Sequence, residues 1–578
     1  MATTLVSARW SWLRPGLRHW RPAVAVIAAF VALRVFQTCV PLNMDEFVSY
    51  QTLACLSHPH SRENVFCQPC AGFYLRVAGG FSLPLLTYDY IGSFSSLLYA
   101  PLFALWPSPM SARLTGVIAL FVQALVLARM FRLRTSVVFC ALLAFLPYSF
   151  PHIADTGPVA FQTTSVLVVC YLLRRWLLCR HWRRRALMMA AAGLLIALGC
   201  WVKPTYFFVS FGLAITALGG FLLALRRRNP CWAVRTAEYA LLFSCAAIPA
   251  LLVYESHHPN GSPYLPVVTA NYLPGQVVLD GLGQRFQENV LHFLTHPLDA
   301  TAPCFNVRPD LPAWNVVICL LGGVIILGGI LRPRISLRWR NEILVDCSLF
   351  VLALLLVATN VYAKSMHHVV LAYPFLLLAA CRSVQGRQRA PVFRAALVLF
   401  LLLNGSLFCW FPSMLAEARR DADRKVYVAR LNDDLNREDA TGSVLACVDW
   451  GLYFVKALYG PRSEVVLFVC SLDDPQTLRQ AAAIARRLHR NLTVVGLRDN
   501  RRARELLRTV FPEVEERAEP DANNPWRIWR IPAGKLGPPD PASPVPDFPS
   551  ALRPPSPEAG LHGGPPARPT ASSPESAT

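Results

Sequence analysis

The sequence predicts a polytopic α-helical membrane protein of about eleven spans, with interfacial or re-entrant helices and a small extracytoplasmic α/β domain near its C-terminus. Three observations lead to this fold class. With 54% hydrophobic and only 16% charged residues over 578 positions, the chain is too apolar for soluble domains of that length. Its apolar runs are long enough to cross a bilayer. The net charge of +21 lies in short basic clusters between those runs, as in the cytoplasmic loops of membrane proteins.

The same distribution of charge excludes one class of partner. A nucleic-acid-binding protein gathers its Lys and Arg residues as a patch on a polar domain, whereas here they alternate with apolar runs. We therefore expect membrane lipids, and no nucleic acid, among the partners.

The first span is predicted at 23–40, after a stretch that contains four arginines. This run has no clear small-residue cleavage site, so we interpret it as an uncleaved span and not as a signal peptide. The arginines before it place the N-terminus in the cytoplasm. A plasma or inner membrane is the expected location.

The apolar stretch 90–106 contains Gly92, several serines and Pro101, and it ends in Trp-Pro-Ser-Pro. If it crossed the membrane, every later basic cluster would face outside, against the loop-charge rule. We therefore predict an interfacial or re-entrant segment. The remaining spans are then predicted at 111–130, 135–150, 158–178, 186–202, 205–225, 234–254, 314–332, 343–360, 367–381 and 393–411.

After the last span the composition changes. Short apolar runs at 443–449, 464–470 and 492–497 alternate with helical patterns at 452–458, 477–488 and 501–510, which is typical of an α/β domain with a largely parallel sheet. We predict a membrane domain over 1–412, this α/β domain over 413–535, and a disordered Pro-rich tail over 536–578.

Acidic residues follow two of the predicted spans on the same outer face. Asp45 and Glu46 come directly after the first span, and Asp155 lies between the spans at 135–150 and 158–178. Carboxylates at the edge of the bilayer can take a proton from a hydroxyl or share a divalent cation. Taken singly, each acid could equally be solvated or cap an interfacial helix.

Cations are scarce on that face, and a phosphate group would need them. The candidates are Arg62, Lys203, Lys364 and His368. Lys203, which precedes Pro204, could also be a lysine that snorkels at a span end, and His368 could be an interfacial anchor.

Five motifs in this order resemble the GT-C glycosyltransferases, in particular the branch that includes protein O-mannosyltransferases and the lipid A aminoarabinose transferase. The family has an acidic pair in the first external loop, an Ala-Arg-Leu stretch opening a span, an Asp followed closely by Pro, a Lys-Pro corner and a His-initiated late span. In this sequence these are Met44-Asp45-Glu46, the stretches 111–116 and 154–158, Lys203-Pro204, and 367–374.

This resemblance implies an inverting membrane glycosyltransferase of cell-envelope glycosylation. It would move a hexosyl or pentosyl group from a polyprenyl-phosphate donor to a hydroxyl of a lipid, glycan or protein on the extracytoplasmic face. Asp45 would be the general base, and Glu46 and Asp155 would complete the catalytic set. Asp45 and Asp155 could hold a divalent metal ion; no other cofactor is implied.

The sequence departs from the family at one point. Many relatives have a Lys-Pro-Pro-Leu stretch before the re-entrant segment, and residues 87–91 here are Thr-Tyr-Asp-Tyr-Ile. The donor phosphate would then have to be bound by Lys203, Lys364, His368 or Arg62. A transporter or lipid flippase, and an inactive scaffold, are the alternative functions. We find no clear internal repeat, and the acids lie at span ends on one side, which favours the enzyme.

Overall fold

The structure is a computed structural model that divides into two compact units, Met1–Asp433 with Tyr453–Gly460 and Asp434–Leu452 with Pro461–Thr578. The residues that it describes are 74–76, 82–84, 86–88, 91–105, 109–153, 158–203, 205–206, 209–210, 212–213, 218–219, 222, 226, 232–254, 281–291, 312–331, 336–359, 369–385, 395–406, 434–438, 441–448, 467–469, 475–497, 501–512 and 526–536.

The described part of the first unit consists of two short antiparallel strand pairs followed by a helical bundle. The strands are β1 (Tyr74–Arg76), β2 (Ser82–Pro84), β3 (Leu86–Tyr88) and β4 (Ile91–Gly92). The helices are α1 (Phe94–Leu105), α2 (Pro109–Phe131), α3 (Thr135–Ala144), α4 (Leu146–Ile153), α5 (Pro158–Leu178), α6 (Trp182–Val202), α7 (Trp232–Tyr254), α8 (Leu282–Phe286), α9 (Pro312–Ile330), α10 (Leu337–Thr359), α11 (Tyr373–Val384) and α12 (Ala395–Ser406).

Among the described residues, two straight helices are long and apolar enough to cross a membrane, Arg113–Phe131 and Trp182–Val202. A third span is possible if α3 and α4 count as one, although they meet at 89°. Helices also lie at or inside the predicted spans 158–178, 234–254, 314–332, 343–360, 367–381 and 393–411. The total of eleven, which includes a first span outside the described residues, stays a prediction.

The span that we predict at 135–150 is interrupted, because α3 and α4 meet at an 89° bend. Pro147 lies two residues after Phe145, at which α3 has ended. Its ring would clash with a carbonyl of the preceding turn, and it has no N–H to donate, so α3 cannot continue through it. The chain instead starts a new helix whose eight residues are all buried.

An ion-pair cluster joins three helix ends at one end of the bundle. Arg382, near the end of α11, donates to Asp346 Oδ2 at 2.8 Å and to Glu342 of α10. Its guanidinium also lies 5.3 Å from the ring centre of Phe131, the last residue of α2. Arg174 of α5 lies over the same ring at 5.3 Å. The C-terminal ends of α2, α5 and α11 therefore meet the N-terminal part of α10.

A second buried acid joins the next three helix ends. Glu238 of α7 accepts hydrogen bonds from Trp176 Nε1 of α5, at 2.9 Å, and from Arg185 of α6. Arg235 approaches the same carboxylate at 3.8 Å. The basic clusters around 174–185 and 382 thus lie at one end of the bundle, which is the common side on which the sequence places them. Its assignment to the cytoplasm stays a prediction.

The directions of the helices show which helix ends lie at the opposite end of the bundle. The N-terminal ends of α2 and α5 and the C-terminal ends of α6 and α10 lie there, because each of these helices has its other end at the ion-pair clusters. Phe94, the first residue of α1, contacts Phe161 and Trp201 at this opposite end, with ring centres 5.1 and 5.6 Å apart. We call it the site end, because it holds the Lys203 corner and the residues that flank Asp155.

Helix α1 is too short to leave the site end. Twelve residues rise about 18 Å, against a hydrocarbon core of about 30 Å. Three residues separate its last residue from α2, which also begins at the site end. The prediction that 90–106 does not cross agrees with this geometry.

The second unit contains a four-stranded sheet of order β6-β5-β7-β8. Its strands are β5 (Val444–Cys447), β6 (Leu467–Val469), β7 (Leu492–Leu497) and β8 (Trp526–Ile531), with helices α13 (Pro475–Arg487) and α14 (Arg501–Val510). β5 pairs parallel to β6 and β7, and β8 closes the edge antiparallel to β7. Its position on the outer face of the membrane is a prediction that this sheet does not test.

The geometry of α1 leads to a first prediction, tested with an epitope tag in intact cells or sealed vesicles. Tags inserted after Pro84 and after Leu105 should be accessible from the same side, because α1 does not cross. A tag after Arg180, between α5 and α6, should be accessible only from the other side. Opposite accessibility of the first two tags would show that α1 spans the membrane.

The Arg382 cluster leads to a second prediction. Arg382→Leu leaves Asp346, whose side chain is 9% exposed, without its guanidinium partner. Removal of one member of a buried ion pair costs about 3 kcal/mol or more, so thermal unfolding in detergent should begin several degrees lower. Arg183→Leu, the same change at an exposed position of this end, is the matched control and should have little effect. Equal melting of the two variants would contradict the role of the cluster.

Candidate functional site

Of the seven predicted site residues, Lys203 is the one that the structure describes. Asp45, Glu46, Arg62, Asp155, Lys364 and His368 lie outside the described residues. Three of them are nevertheless close in sequence to described helix ends. Asp155 lies between α4 and α5, and Lys364 and His368 lie between α10 and the helical turn at Val370–Ala372. The helix ends that flank these three residues in the sequence lie at the site end, as Lys203 does.

Lys203 forms the corner at which α6 ends. Its backbone is extended, at φ −161° and ψ 131°, and its N–H donates to Gly199 O at 3.2 Å. Pro204 follows, and the residue before a proline disfavours helical backbone. Only 7% of Lys203 is exposed. A lysine that simply snorkels would keep its ammonium in water, so this burial favours a defined polar environment.

Gln162 of α5 fixes the Lys203 corner. Its Nε2 donates to two carbonyl oxygens, those of Gly199 at 3.1 Å and Lys203 at 2.9 Å. Each carbonyl also accepts a backbone N–H, Gly199 O from Lys203 and Lys203 O from Tyr206, so the Gln162 amide is a second donor to both. One fully buried amide therefore connects the end of α6 and the corner after it to α5.

An aromatic side chain completes the corner from the other side. Tyr206 packs so closely over Gly199 that a Cβ built there would lie 2.6 Å from its ring. The hydroxyls of Tyr206 and Ser165 are 2.6 Å apart, with Ser165 as donor. The chain after Lys203 is thus also held against α5.

The hairpin β3–β4 ends against this corner. A Cβ built on Gly92 would lie 2.0 Å from the carbonyl oxygen of Trp201, two residues before Lys203. Only glycine permits so close an approach of two backbones. Strand β4, which follows the position where the resemblance leads us to expect a lysine, is therefore next to the corner that contains Lys203.

A neutral hydrogen-bond network lies next to this corner, between α2, α4 and α5. Gln123 Nε2 donates to Thr163 Oγ1 at 3.2 Å and Thr164 Oγ1 at 2.8 Å, and its Oε1 accepts from Tyr148 OH at 2.8 Å. His152 Nδ1 is 2.8 Å from the carbonyl of Tyr148, and Nε2 is 2.8 Å from Thr163 Oγ1. A carbonyl only accepts, so Nδ1 carries a proton. Gln123 Nε2, a donor, faces His152 Nε2 at 3.1 Å, which favours an unprotonated Nε2 and a neutral imidazole.

Three buried polar atoms around the Lys203 corner have no hydrogen-bond partner among the described residues. They are Gln162 Oε1, Thr205 Oγ1 and Ser95 Oγ, the last on the first turn of α1. The orientation of the Gln162 amide is fixed, because its Nε2 faces two carbonyls and an oxygen there would be repelled. Unsatisfied buried atoms of this kind are usually paired with water or a ligand. Atoms of the same kind, Arg185 Nε and Glu238 Oε1, also occur at the opposite end, so these three mark the corner as polar without distinguishing it from that end.

Arg113 adds a second cation to the site end. It lies in the first turns of α2, within the Ser-Ala-Arg-Leu stretch of the resemblance, and it is fully buried. A buried arginine in an apolar helix is costly unless it is paired. The sequence contains the signal for it, an isolated charge in a predicted span, although Arg113 is absent from our set of site residues.

No group of three or more His, Cys, Asp or Glu side chains able to hold a metal ion occurs in the part of the chain that the structure describes. The predicted ligands, Asp45 and Asp155, lie outside that part. Their carboxylate oxygens suit a hard divalent cation such as Mg²⁺ or Mn²⁺, and the metal stays a prediction.

No protein-family profile and no curated protein sequence matches the chain. Among solved structures, ArnT from Cupriavidus metallidurans bound to undecaprenyl phosphate has a TM-score of 0.52 at 13% identity, covering 90% of this chain and 99% of that chain. Its apo-state structure gives 0.41 at 13% identity, covering 90% and 100%. The oligosaccharyltransferase of Archaeoglobus fulgidus, in complex with Zn and sulfate, gives 0.40 at 14% identity, covering 82% and 68%.

The match to undecaprenyl-phosphate-bound ArnT extends over nearly the whole of both chains. The chain therefore has the fold of this ArnT structure, and the resemblance found in the sequence is confirmed at the level of fold. At 13% identity this likeness shows the fold alone.

The contact between β4 and Trp201 leads to a third prediction. Gly92→Ala would put a methyl group into the Trp201 carbonyl, so the hairpin and the corner must separate, at a cost of about 1–3 kcal/mol. Thermal unfolding of the purified protein should shift downward accordingly. Gly322→Ala in α9 is the control, because a Cβ there meets nothing within 4 Å. If Gly92→Ala were as stable as that control, the close approach would be wrong.

Proposed function

We propose that the protein is a membrane glycosyltransferase that moves a sugar from a polyprenyl-phosphate donor to a hydroxyl acceptor, with inversion at the anomeric carbon. Asp45 acts as the general base, supported by Glu46 and Asp155. Lys203 binds the donor phosphate, together with Lys364, His368 or Arg62. The acceptor is a lipid, glycan or protein, and transfer takes place on the outer face of a plasma or inner membrane.

The observation that carries the proposal is the contact of β4 with the Lys203 corner. Relatives of the sequence are expected to present a lysine just before the re-entrant segment, and this chain has none there. Gly92 nevertheless lies against Trp201. Lys203, two residues after Trp201, is therefore close to the place where the relatives' lysine is expected. The charge needed for a phosphate can then be supplied by Lys203 instead.

Two further observations support the choice of donor. The fold is that of a protein crystallised with undecaprenyl phosphate, which is a polyprenyl phosphate. The buried polar atoms of Gln162, Thr205 and Ser95 that have no partner among the described residues surround the same corner. A hydroxyl-rich sugar phosphate could satisfy all three, whereas an apolar ligand could not.

The reaction is a single displacement. Asp45 removes the proton of the acceptor hydroxyl, and the acceptor oxygen forms a bond to the anomeric carbon. The bond from that carbon to the phosphate oxygen breaks at the same time, and polyprenyl phosphate leaves with the electron pair. Lys203 stabilises the negative charge that develops on the leaving phosphate. Asp155 orients the acceptor.

A divalent cation would add one element to this scheme. Held by Asp45 and Asp155, it would neutralise phosphate charge as a Lewis acid. The steps above use the chain's own residues and stand without it.

The main alternative is a multi-span transporter or lipid flippase. Transporters keep their functional charges near the bilayer midplane on broken helices, and the bend between α3 and α4 is such a break. The polar side chains at this bend form a neutral network, however, and the cation at the Lys203 corner lies at a span end. Both features favour transfer chemistry at one surface.

The fourth prediction tests the proposal with purified protein in nanodiscs and polyprenyl-phosphate sugars that carry a label. Wild-type protein should transfer the label to a hydroxyl acceptor. Asp45→Asn should lower kcat by about a hundredfold or more, since loss of a general base costs about 10²–10⁴-fold. Lys203→Met should lower the rate and raise the donor KM, and Lys203→Arg should restore part of both.

Controls separate the outcomes. Arg183→Leu, at the opposite end of the bundle, should leave the rate unchanged. Transfer by Asp45→Asn at the wild-type rate would dismiss Asp45 as base. If the wild type transfers no label but moves the intact donor across a sealed vesicle, the flippase function replaces the enzyme. The same assay with a chelator tests the metal.

A further inference from the structure

Two neighbouring polar residues on α5 hold two different parts of the site end. Gln162 and Thr163 are both fully buried and sit in the second turn of the helix. Successive residues on an α-helix point about 100° apart, so their side chains reach different neighbours. Gln162 binds the end of α6, and Thr163 binds the end of α4.

The Gln162 contacts belong to the Lys203 corner. Its amide holds the carbonyls of Gly199 and Lys203 at 3.1 and 2.9 Å. An amide is a neutral side chain that offers two N–H donors. Replacement by an apolar side chain would leave both carbonyls buried without this donor, and the corner would lose its register against α5.

The Thr163 contacts belong to the segment that leads to Asp155. Its hydroxyl lies 2.8 Å from His152 Nε2 and 3.2 Å from Gln123 Nε2. His152 is three residues before Asp155 in the sequence, and Pro158, which starts α5, is three residues after it. Thr163 therefore ties the end of α4 to the helix that follows Asp155, and so constrains both ends of the intervening segment.

We propose that Gln162 and Thr163 are a pair of positioning residues, Gln162 acting through Lys203 on donor binding and Thr163 acting through the Asp155 segment on the chemical step. This inference rests on the proposed function for its kinetic part. Neither residue needs to touch substrate. Their adjacency on one helix turn fixes the end of α6 relative to the end of α4.

The fifth prediction is that substitutions of Gln162 and Thr163 change different kinetic constants. Gln162→Leu should raise the KM for the polyprenyl-phosphate donor about tenfold with a smaller change in kcat, because it disturbs a ground-state contact. Thr163→Val, which keeps the shape and loses the hydroxyl, should lower kcat about tenfold or more and leave the donor KM within about twofold, since small misplacements of reacting groups cost that much. Thr163→Ser keeps the hydroxyl and should restore kcat.

A second readout, backbone hydrogen exchange on the full-length protein in nanodiscs, needs no activity. Gln162→Leu should speed exchange in peptides around 199–206 and spare those around 148–153, whereas Thr163→Val should do the reverse. Should leucine at 162 prevent folding, Gln162→Asn, which keeps the amide but shortens its reach, takes its place with the same expected direction.

Equal changes of donor KM, kcat and both exchange regions in the two variants would overturn the proposal and leave a merely structural role. The proposal would also fail if Thr163→Ser behaved like Thr163→Val. If the wild type transfers no sugar, the glycosyltransferase function fails, while the exchange pattern still decides whether the two residues hold separate segments.

Discussion

Buried polar groups in an apolar bundle are costly unless they find a hydrogen-bond partner. The two ends of this bundle meet that requirement in different ways. At one end, charged pairs do so: Arg382 binds two carboxylates, and Glu238 binds Arg185 and Trp176. At the site end, the described contacts are those of neutral amides, hydroxyls and an imidazole.

This division separates two tasks. Ion pairs hold the helices together at one end, and neutral contacts position the backbone at the other. Lys203 and Arg113 are buried cations there, and the sequence adds acids in the adjoining segments. The proposed transfer would use Lys203 for the donor phosphate and Asp45 as the base.

Much of the bundle could be predicted from the sequence, because apolar runs of the right length allow few other structures. Helix α5 occupies the residues predicted for its span, and α10 begins six residues before its prediction. The bend at Pro147 is not predicted because the apolar run continues through it, although proline in a helix is a known interruption. Strand β8 is not predicted either, because it alternates tryptophan and isoleucine with arginine and is too polar to stand out as a buried strand.

The site was predictable only in part, for a physical reason. A Lys-Pro corner after a helix can be recognised within one segment, and Lys203 is predicted in that way. Gln162, Gln123 and Thr163 bind partners 11 to 41 residues away, and a lone amide in an apolar helix does not reveal which neighbour it faces. Their importance becomes visible when the helices are placed side by side.

The absence of the family's lysine stretch is compatible with phosphate binding if another segment supplies a charge at the same place. Coulomb attraction depends on where a charge lies and on its surroundings, and not on the chain segment that supplies it. The hairpin β3–β4 and the end of α6 touch at Gly92 and Trp201, so under the proposed function a cation on either segment would be near the same phosphate. Such a replacement requires that the two segments keep their register. The amide of Gln162 on α5, a third element, holds the end of α6 in place.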